Sequence, residues 1–520
     1  MRYALAGLLL WGGIAQARPN TPGSTDLHHY AAGETVESVD SAGGHFKLFF
    51  TRSGADAVPL DDADANGIPD NVDEVSALYE EVLAFYQSLG FRTPISDAAT
   101  PGDNGGDGRF DVYLLDFAGG ADGSFVRETC DAASVCSGYM VQENDFLGYP
   151  YPSRTYGNRV LASHEFFHAV QAAYDDSEST IVAEGTAVWA TERFDPTLND
   201  FEGFVAGYLT RPDHSLYVPL PGPVSDFSYG SCIFFQFLDE KYGDSTIREL
   251  WEASVGPPDW FGSLDGLLAT HQSSFAEAFS TFSRWNLFTG KRANPMLGYA
   301  RGSGYTLVTS EADPAPLTIM SLRIFPAASN YFALPPAGRA NMDVSLVPAP
   351  GVDSSALRLA LSVLRGNMLS DPILADASLR ASAATDGADQ LFVVVADTAE
   401  SGESLRPGLC AGDPSEVDAC RAQLGAGPAD MGTAPPGSGG GCSFASASPN
   451  VTPALLVVLL LAGLAWRGRR ALGLVAALLL AACPKPGTPC LTPIPSTTLY
   501  QVYCDVLNKV LCFSTTQVDI

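Results

Sequence analysis

The chain is poor in basic residues, in histidine and in closely spaced cysteines. It has 29 Lys and Arg against 59 Asp and Glu, which gives a formal net charge of −30. Nucleic-acid binding needs a basic surface, so no nucleic-acid partner is expected. The ten cysteines include no C-x-x-C pair, which argues against a structural zinc held by cysteines. Only seven histidines occur, so a pair of them at a helical spacing is improbable by chance.

Charged residues are also scarce, at 17% of the chain, while Gly (51) and Pro (36) are plentiful. This composition favours a loop-rich globular protein over a disordered one. A chain of 520 residues is long enough for two or three domains.

The first 17 residues have the pattern of a secretory signal peptide. Arg2 provides the positive start, residues 3–14 are apolar, and Ala15-Gln16-Ala17 fits a cleavage site. The mature chain is therefore expected to begin near Arg18, in an oxidising compartment. The apolar run is too short for a membrane-spanning helix.

Export makes disulfide bonds possible among the cysteines. Cys130 and Cys136 lie close together in a turn-rich segment, and Cys410 and Cys420 form a second local couple. Both couples are predicted to be disulfides. Cys232 stands in an apolar helical segment, so a buried free thiol is expected there.

The C-terminal region has an unusual order of segments. A stretch rich in Gly, Pro and Ser (425–441) precedes Cys442, then an apolar run (453–466), then Arg467-Gly468-Arg469-Arg470. This order resembles the MYXO-CTERM sorting signal, a bacterial surface-anchoring tail processed near its Cys. The resemblance implies a sorting protease and the membrane as partners, and a position at the cell surface, at the outer membrane or outside the cell. A plain C-terminal membrane anchor is the alternative, with the arginines on the cytoplasmic side.

Residues 471–520 do not fit that signal. A second apolar run (471–482) ends in Leu480-Ala481-Ala482-Cys483, which resembles a lipoprotein lipobox. We interpret this tail as a fusion with, or read-through into, the start of another exported protein.

The main chemical motif is His164-Glu165-Phe166-Phe167-His168, inside an apolar run from Val160 to Tyr174. On a helix, residues four apart lie on one face, so both imidazoles can bind one Zn²⁺ ion. The zinc would lower the pKa of a bound water, and Glu165 would take its proton as a general base. The pattern predicts peptide hydrolysis.

A catalytic zinc site needs a third protein ligand. The segment Glu184-Gly185-Thr186-Ala187 follows, and H-E-x-x-H with this later segment resembles the gluzincin family of metalloproteases. The resemblance implies that Glu184 completes the site. The 15 residues between His168 and Glu184 are fewer than in thermolysin-type enzymes, so Glu192, two turns further on the same helix face, is the alternative ligand.

Peptide hydrolysis also needs a donor that stabilises the developing oxyanion. A Tyr or His supplies it in many such sites. Tyr229 and His214 are the candidates, since both lie downstream of the motif. Either could equally be a structural residue.

An acidic segment ahead of the first long helix has the spacing of a calcium loop. Counted from Asp62, oxygen-bearing side chains fall at positions 1, 3, 5, 9 and 12, with Gly67 at position 6. The candidate Ca²⁺ ligands are Asp62, Asp64, Asn66, Asp70 and Asp73. The last position is Asp rather than Glu and no helix precedes the loop, unlike an EF-hand. A solvated acidic turn is the alternative.

The fold class predicted is α+β: a zincin-like metalloprotease domain, with a mixed sheet, an active-site helix and a helical subdomain, followed by a β-sandwich. Residues 138–144 are the candidate strand at the rim of the cleft, where substrate backbone would pair. The expected parts are a signal peptide (1–17), an N-terminal α/β part with the calcium loop (18–150), zinc-site helices and helical subdomain (151–300), a β-sandwich (301–398), a linker (399–441), an anchor segment (442–470) and the doubtful tail (471–520).

These features together predict a surface-anchored or secreted zinc endopeptidase, stabilised by calcium, acting on proteins or peptides as a monomer. A non-catalytic surface binding protein on a zincin scaffold is one alternative, although Glu165 would then have no chemical purpose. A zinc aminopeptidase, or a zinc hydrolase with another substrate, is a further alternative. An aminopeptidase needs an acidic anchor for the free amine, and none precedes the zinc helix at residues 153–157.

Overall fold

The computed structural model describes residues 17–22, 24, 27–100, 104–220 and 224–425. The fold is α+β, with one mixed sheet and a set of helices followed by two further sheets. Residues 1–16 of the expected signal peptide and the expected anchor and tail segments (442–470 and 471–520) lie outside the described residues. None of the helices in the described part of the chain is both long and apolar enough to cross a membrane.

The first part contains a five-stranded sheet in the order β1-β2-β3-β5-β4. Its strands are β1 Val36–Asp40, β2 Phe46–Thr51, β3 Phe110–Leu115, β4 Gly123–Cys130 and β5 Cys136–Glu143. The pairs β2–β3 and β3–β5 are parallel, whereas β1–β2 and β4–β5 are antiparallel. Every residue of β5 is buried, as expected for an interior strand covered on both faces.

This topology corrects the position of the rim strand. Residues 138–144 were expected at the edge, but residues 138–143 belong to β5, which lies between β3 and β4. The edge strand is β4, whose residues are mostly half-exposed and include Arg127 and Glu128. Its polar composition conceals it as a strand, because none of its residues is fully buried and no apolar face is evident.

Ten α-helices of the described region lie between residues 70 and 285. They are α1 Asp70–Ser88, α2 Arg154–Ala172, α3 Thr180–Phe194, α4 Asp200–Phe204, α5 Ala206–Leu209, α6 Asp226–Gly230, α7 Cys232–Tyr242, α8 Thr246–Ala253, α9 Trp260–Thr270 and α10 Phe275–Trp285. The Ser153 hydroxyl caps α2 by accepting a hydrogen bond from the amide of Tyr156. Phe166 on α2 packs edge-on against Phe46 and Phe110 of the sheet. This contact fixes α2, and with it the histidine motif, against the strands.

The second part consists of two sheets. Its elements are β6 Ser310–Glu311, β7 Leu317–Ile319, β8 Ala328–Leu334, β9 Asn341–Val347, β10 Leu357–Arg365, β11 Met368–Leu369, β12 Ile373–Leu374, β13 Arg380–Ala384, β14 Gln390–Asp397, β15 Gly408–Gly412 and α11 Pro414–Gly425. One sheet has the order β11-β10-β14-β8-β6, with β12 paired to β10, and the other has the order β13-β9-β15-β7. Apolar residues of both sheets share one core, as a sandwich requires.

Strand β14 is buried on both of its faces. Val393 and Val395 point into the core between the two sheets. Phe392 and Val394, which alternate with them, join the core formed with the helices. The two-sheet module is therefore packed onto the helical part through one of its central strands.

The structure corrects the C-terminal boundary of this module, because part of the expected linker (399–441) is folded. Strand β15 lies between β9 and β7, and its Leu409 and Ala411 enter the shared core. The Cys410–Cys420 disulfide joins β15 to α11, and Cys130–Cys136 forms the second predicted disulfide. Cys232 is a buried free thiol, as expected. The segment escaped prediction because β15 is short and contains Gly at both ends.

This boundary can be tested by shortening the chain. A chain that ends at Thr398 loses β15 and leaves β9 and β7 without their partner, so we expect its melting temperature to fall by roughly 5 °C or more. A chain that ends at Gly425 is the control and should melt like the longer chain. Calorimetry or circular dichroism measures both. Equal melting of the two shortened chains would restore the linker assignment.

Candidate metal centre

Three predicted zinc ligands meet between α2 and α3. Nε2 of His164 lies 3.3 Å from Oε2 of Glu184, and Nε2 of His168 lies 3.6 Å from the same oxygen. The ligand atoms of all three side chains lie within 4.8 Å of one another. Their side chains are 9%, 17% and 13% exposed, so the group is largely shielded from solvent.

The spacing of these donor atoms suits a zinc ion. In a tetrahedral site with bonds of about 2.1 Å, neighbouring donor atoms lie about 3.4 Å apart. The two measured separations from Glu184, 3.3 and 3.6 Å, lie on either side of that value. Two imidazoles and a carboxylate are also the donor set of many catalytic zinc sites. The residues present therefore fit the metal that the motif implies.

Gln171 controls which nitrogen of His168 can bind a metal. Its Nε2 donates to the Ala183 carbonyl oxygen at 2.8 Å, and a carbonyl can only accept, so the orientation of the amide is fixed. Oε1 of Gln171 then faces Nδ1 of His168 at 2.8 Å. Nδ1 must carry the proton, which leaves the Nε2 lone pair of the neutral imidazole directed towards Glu184.

The electrostatics of the group favour a bound cation. Burial lowers the pKa of His168, but the carboxylates of Glu184 and Glu165 outweigh burial and raise it to about 9. Burial acts against ionisation of Glu184, yet the two imidazoles hold the pKa of this carboxyl well below its usual range. Glu184 is therefore ionised at neutral pH, and its charge attracts a cation to the two nitrogen donors.

Glu165 lines a cavity of about 350 Å³ together with His168 and Glu184. The backbone amide of Phe125, on the edge strand β4, donates a hydrogen bond to Oε2 of Glu165 at 3.3 Å. The carboxylate that the motif assigns as general base thus lies between the metal ligands and the free edge of the sheet.

Tyr229 also lines this cavity. Its ring lies 5.9 Å from the ring of His164. Burial raises the pKa of Tyr229, and the charges of Glu184 and Glu165 raise it further. The hydroxyl therefore keeps its proton at neutral pH and can donate it in a hydrogen bond.

Two other predicted site residues lie elsewhere. The ring of His214 packs edge-on against Phe227, 5.6 Å between centroids, and does not line the cavity. Glu192 forms an ion pair with Arg301, so the alternative third ligand is already used in a structural contact. It lies on α3 beyond reach of the histidines, because two helical turns carry it about 12 Å along the axis from Glu184.

Sequence reasoning missed two participants, Gln171 and the Phe125 amide. Gln171 could have been found, because it lies three residues after His168 and therefore on the same helix face. Phe125 could not, because only the pairing of β4 with β5 brings its backbone amide to the cavity.

The calcium-type loop brings together the carboxylates of Asp62, Asp64 and Asp70 within 4.8 Å of one another. The backbone amide of Asn66 donates to both Asp62 and Asp64 at 3.1 Å, which wraps the chain around the group. Gly67 has φ of +89°, a conformation that suits glycine at the sharp turn.

Asp73, the last predicted ligand, lies outside this acidic group. Its Oδ2 accepts a hydrogen bond from Nδ2 of Asn66 at 2.8 Å, and the Asn66 amide oxygen accepts from the amide of Ile68. One side-chain oxygen of Asp73 and the side-chain oxygen of Asn66 thus already accept hydrogen bonds within the loop. Of the four acidic residues among the five predicted calcium ligands, Asp62, Asp64 and Asp70 converge.

Comparison with known proteins gives no family. No protein family matches the chain, and no curated protein matches it. Among solved structures, it is similar to the pre-peptidase C-terminal domain of a collagenase from Bacillus anthracis, with 11% identity, a TM-score of 0.16 and coverage of 21% of this chain and 99% of that one. It is also similar to PliG from Aeromonas hydrophila, a periplasmic inhibitor of g-type lysozyme, with 13% identity, a TM-score of 0.15 and coverage of 20% of this chain and 98% of that one. Scores this low carry no argument about function.

The role of Gln171 can be measured as zinc affinity. Replacing it with Leu removes the acceptor for Nδ1 of His168, so both tautomers become accessible and we expect zinc affinity to fall about 10- to 100-fold. Competition with a chromogenic chelator measures this. Gln87→Leu, at an exposed position of α1, is the control and should bind zinc like the unchanged chain. Equal affinities in the two variants would remove Gln171 from the site.

The acidic loop predicts stabilisation by calcium. Asp64→Ala removes one of the three converging carboxylates, so added Ca²⁺ should raise the melting temperature of the unchanged chain but not of this variant. Asp353→Ala, in an exposed loop of the two-sheet module, is the control and should respond like the unchanged chain. If calcium shifts none of the three, the loop is a solvated acidic turn.

Proposed function

We propose that the chain is an exported zinc endopeptidase of the gluzincin type, with a zincin-like first part. One observation carries the proposal: His164, His168 and Glu184 converge on one point, and Glu165 opens into the same cavity. A purely structural metal site would not need the carboxylate of Glu165 beside its ligands. The ion expected there is Zn²⁺, held by these three side chains.

A bound zinc ion supplies a positive charge for the substrate carbonyl oxygen and acidifies a water molecule in the cavity. Glu165 accepts the proton of the attacking water and later delivers it to the leaving amine. Gln171 holds His168 in the tautomer that presents Nε2. These roles need no movement of the backbone, because the side chains already face one cavity.

Tyr229 is the proposed oxyanion donor. Tyr229 and Glu184 line the same cavity, in which the substrate carbonyl would be placed. The Tyr229 hydroxyl keeps its proton there. A hydrogen bond from this hydroxyl would strengthen as negative charge develops on the carbonyl oxygen. His214 is not proposed for this role, since it lies outside the cavity.

The free edge of β4 is the proposed binding strand for substrate. It spans Gly123–Cys130, is paired on one side only among the described strands, and borders the cavity at residues 123–125. An extended peptide can pair with this edge through backbone hydrogen bonds. Eight residues of edge allow substrate to extend on both sides of the cleaved bond, which favours an endopeptidase over an aminopeptidase.

Export and anchoring complete the proposal. The two disulfides suit an oxidising compartment. The signal peptide and the MYXO-CTERM-like tail account for delivery to, and retention at, the cell surface. We also propose that the acidic loop binds a structural Ca²⁺ ion through Asp62, Asp64 and Asp70.

The general base gives the decisive test. Glu165→Gln preserves the shape of the side chain but cannot accept a proton, so we expect peptide hydrolysis to fall at least 100-fold while zinc content stays the same. Casein cleavage and elemental analysis measure the two quantities. The control is Glu252→Gln, an exposed carboxylate of α8 that pairs with Arg248. Full activity of the Glu165 variant would overturn the assignment.

A further inference from the structure

The cavity beside the candidate metal centre is strongly acidic. Besides Glu165 and Glu184, its titratable lining residues are His168, Asp175, Asp176 and Glu178, and no Lys or Arg of the described chain lines it. The three additional carboxylates come from the connection between α2 and α3. They are not needed to hold zinc, so their presence calls for a separate explanation.

Asp175 presents an oxygen without a partner. The side chain is only 7% exposed. Its Oδ1 accepts hydrogen bonds from the amide and the hydroxyl of Ser177, at 2.8 and 2.5 Å. Its Oδ2 accepts no hydrogen bond from the described residues and is not one of their fully enclosed oxygens, so it opens into the cavity that Asp175 lines. An accessible carboxylate oxygen without a protein donor is free to accept a hydrogen bond from a ligand in the cavity.

Glu178 is also left without a cation. Its Oε1 accepts a hydrogen bond from the backbone amide of Trp260 at 2.7 Å. Burial raises its pKa to about 7, and the charges of Asp259 and Asp175 act in the same direction. Asp176 differs, because Arg127 pairs with it at 2.6 Å. Asp175 and Glu178 are thus the two carboxylates in the cavity that no cation of the described chain neutralises.

A second metal ion does not explain these carboxylates. Among the described residues, metal-binding groups of His, Cys, Asp and Glu form only at His164, His168 and Glu184 and in the acidic loop. Asp175 and Glu178 belong to neither of these groups. A cation borne on a flexible chain can reach both oxygens without such a group. Trp251 lines the same cavity and offers an apolar wall to the stem of a long side chain.

We infer that this cavity binds the side chain of a Lys or Arg next to the cleaved bond, with Asp175 and Glu178 as the residues that determine specificity. The inference rests on the proposed endopeptidase function. A volume of about 350 Å³ accommodates a long side chain. The amino terminus of a substrate is the other cation that could bind here. The edge of β4 is open, however, so it does not require the substrate chain to end at the cavity.

The test uses the full chain loaded with zinc and peptides blocked at both ends. The peptides are identical except for one residue, which is Lys, norleucine or Glu, placed in turn on each side of the cleaved bond. Norleucine keeps the stem of Lys without its charge. We expect kcat/KM for the Lys peptide to exceed that for the norleucine peptide at least tenfold at one of these positions, with the Glu peptide the poorest.

Variants then assign the preference to its residues. In Asp175→Asn with Glu178→Gln, the ratio of Lys to norleucine cleavage should fall to within about twofold of one, since charge attraction is removed and shape is kept. Each single variant should lower the ratio partway, which covers the case that the double variant does not fold. The control Glu252→Gln makes the same change of charge as each single variant, but outside the cavity, and should keep the ratio.

Peptide binding, measured without cleavage, tests the cationic pocket independently of the proposed endopeptidase function. Calorimetry with the Glu165→Gln variant should show the Lys peptide binding at least tenfold more tightly than the norleucine peptide. If this preference holds but no peptide is ever cleaved, the endopeptidase function is wrong and the cationic pocket stands. Equal cleavage and equal binding of the two peptides would overturn the pocket. The Lys peptide is also assayed with its amino terminus left free. Cleavage of this peptide but not of its blocked counterpart would overturn the pocket as well, in favour of an α-ammonium site.

Discussion

The close packing of α2 against α3 is the contact on which the candidate centre depends. Gln171 bridges the two helices, since its amide nitrogen donates to the Ala183 carbonyl and the Thr186 hydroxyl of the α3 region. Gly185 lets α3 approach its other neighbours, because a Cβ there would lie 2.3 Å from the Ser231 hydroxyl and 2.6 Å from the Phe235 ring. A larger residue at Gly185 would push α3 aside and carry Glu184 away from the histidines.

A buried polar network fixes α2 to the rest of the first part. Asn158 on α2 donates to Asn71 at the start of α1, and Gln142 of β5 donates to Asn158. Tyr79 of α1 donates in turn to Gln142. Since Asn71 directly follows Asp70, the acidic loop is joined through this network to the helix that bears the histidines. Order in the loop and order in the metal centre are thus physically connected.

Local spacing determined how well the sequence predicted the site. The histidines, Glu165 and Glu184 could be placed because helix periodicity and a short connection constrain them. The calcium ligands were placed less well, because Asp73 turns to Asn66 instead of joining the carboxylates, and a spacing rule does not describe such hydrogen bonds. The rim strand and the linker were wrong because strand pairing joins distant residues: β15 is ordered by β9 and β7, and β4 by β5. Neither partner can be read from the segment itself.

Strand β14 has a consequence for how the molecule behaves as a whole. Its odd-numbered valines belong to one core and its even-numbered neighbours, Phe392 and Val394, to the other. Because both cores include side chains of β14, unfolding of one core would also destabilise the other. The two-sheet module is not a detachable appendage, and a chimera that exchanged it for a foreign sandwich would need a matching apolar outer face to keep the first part folded.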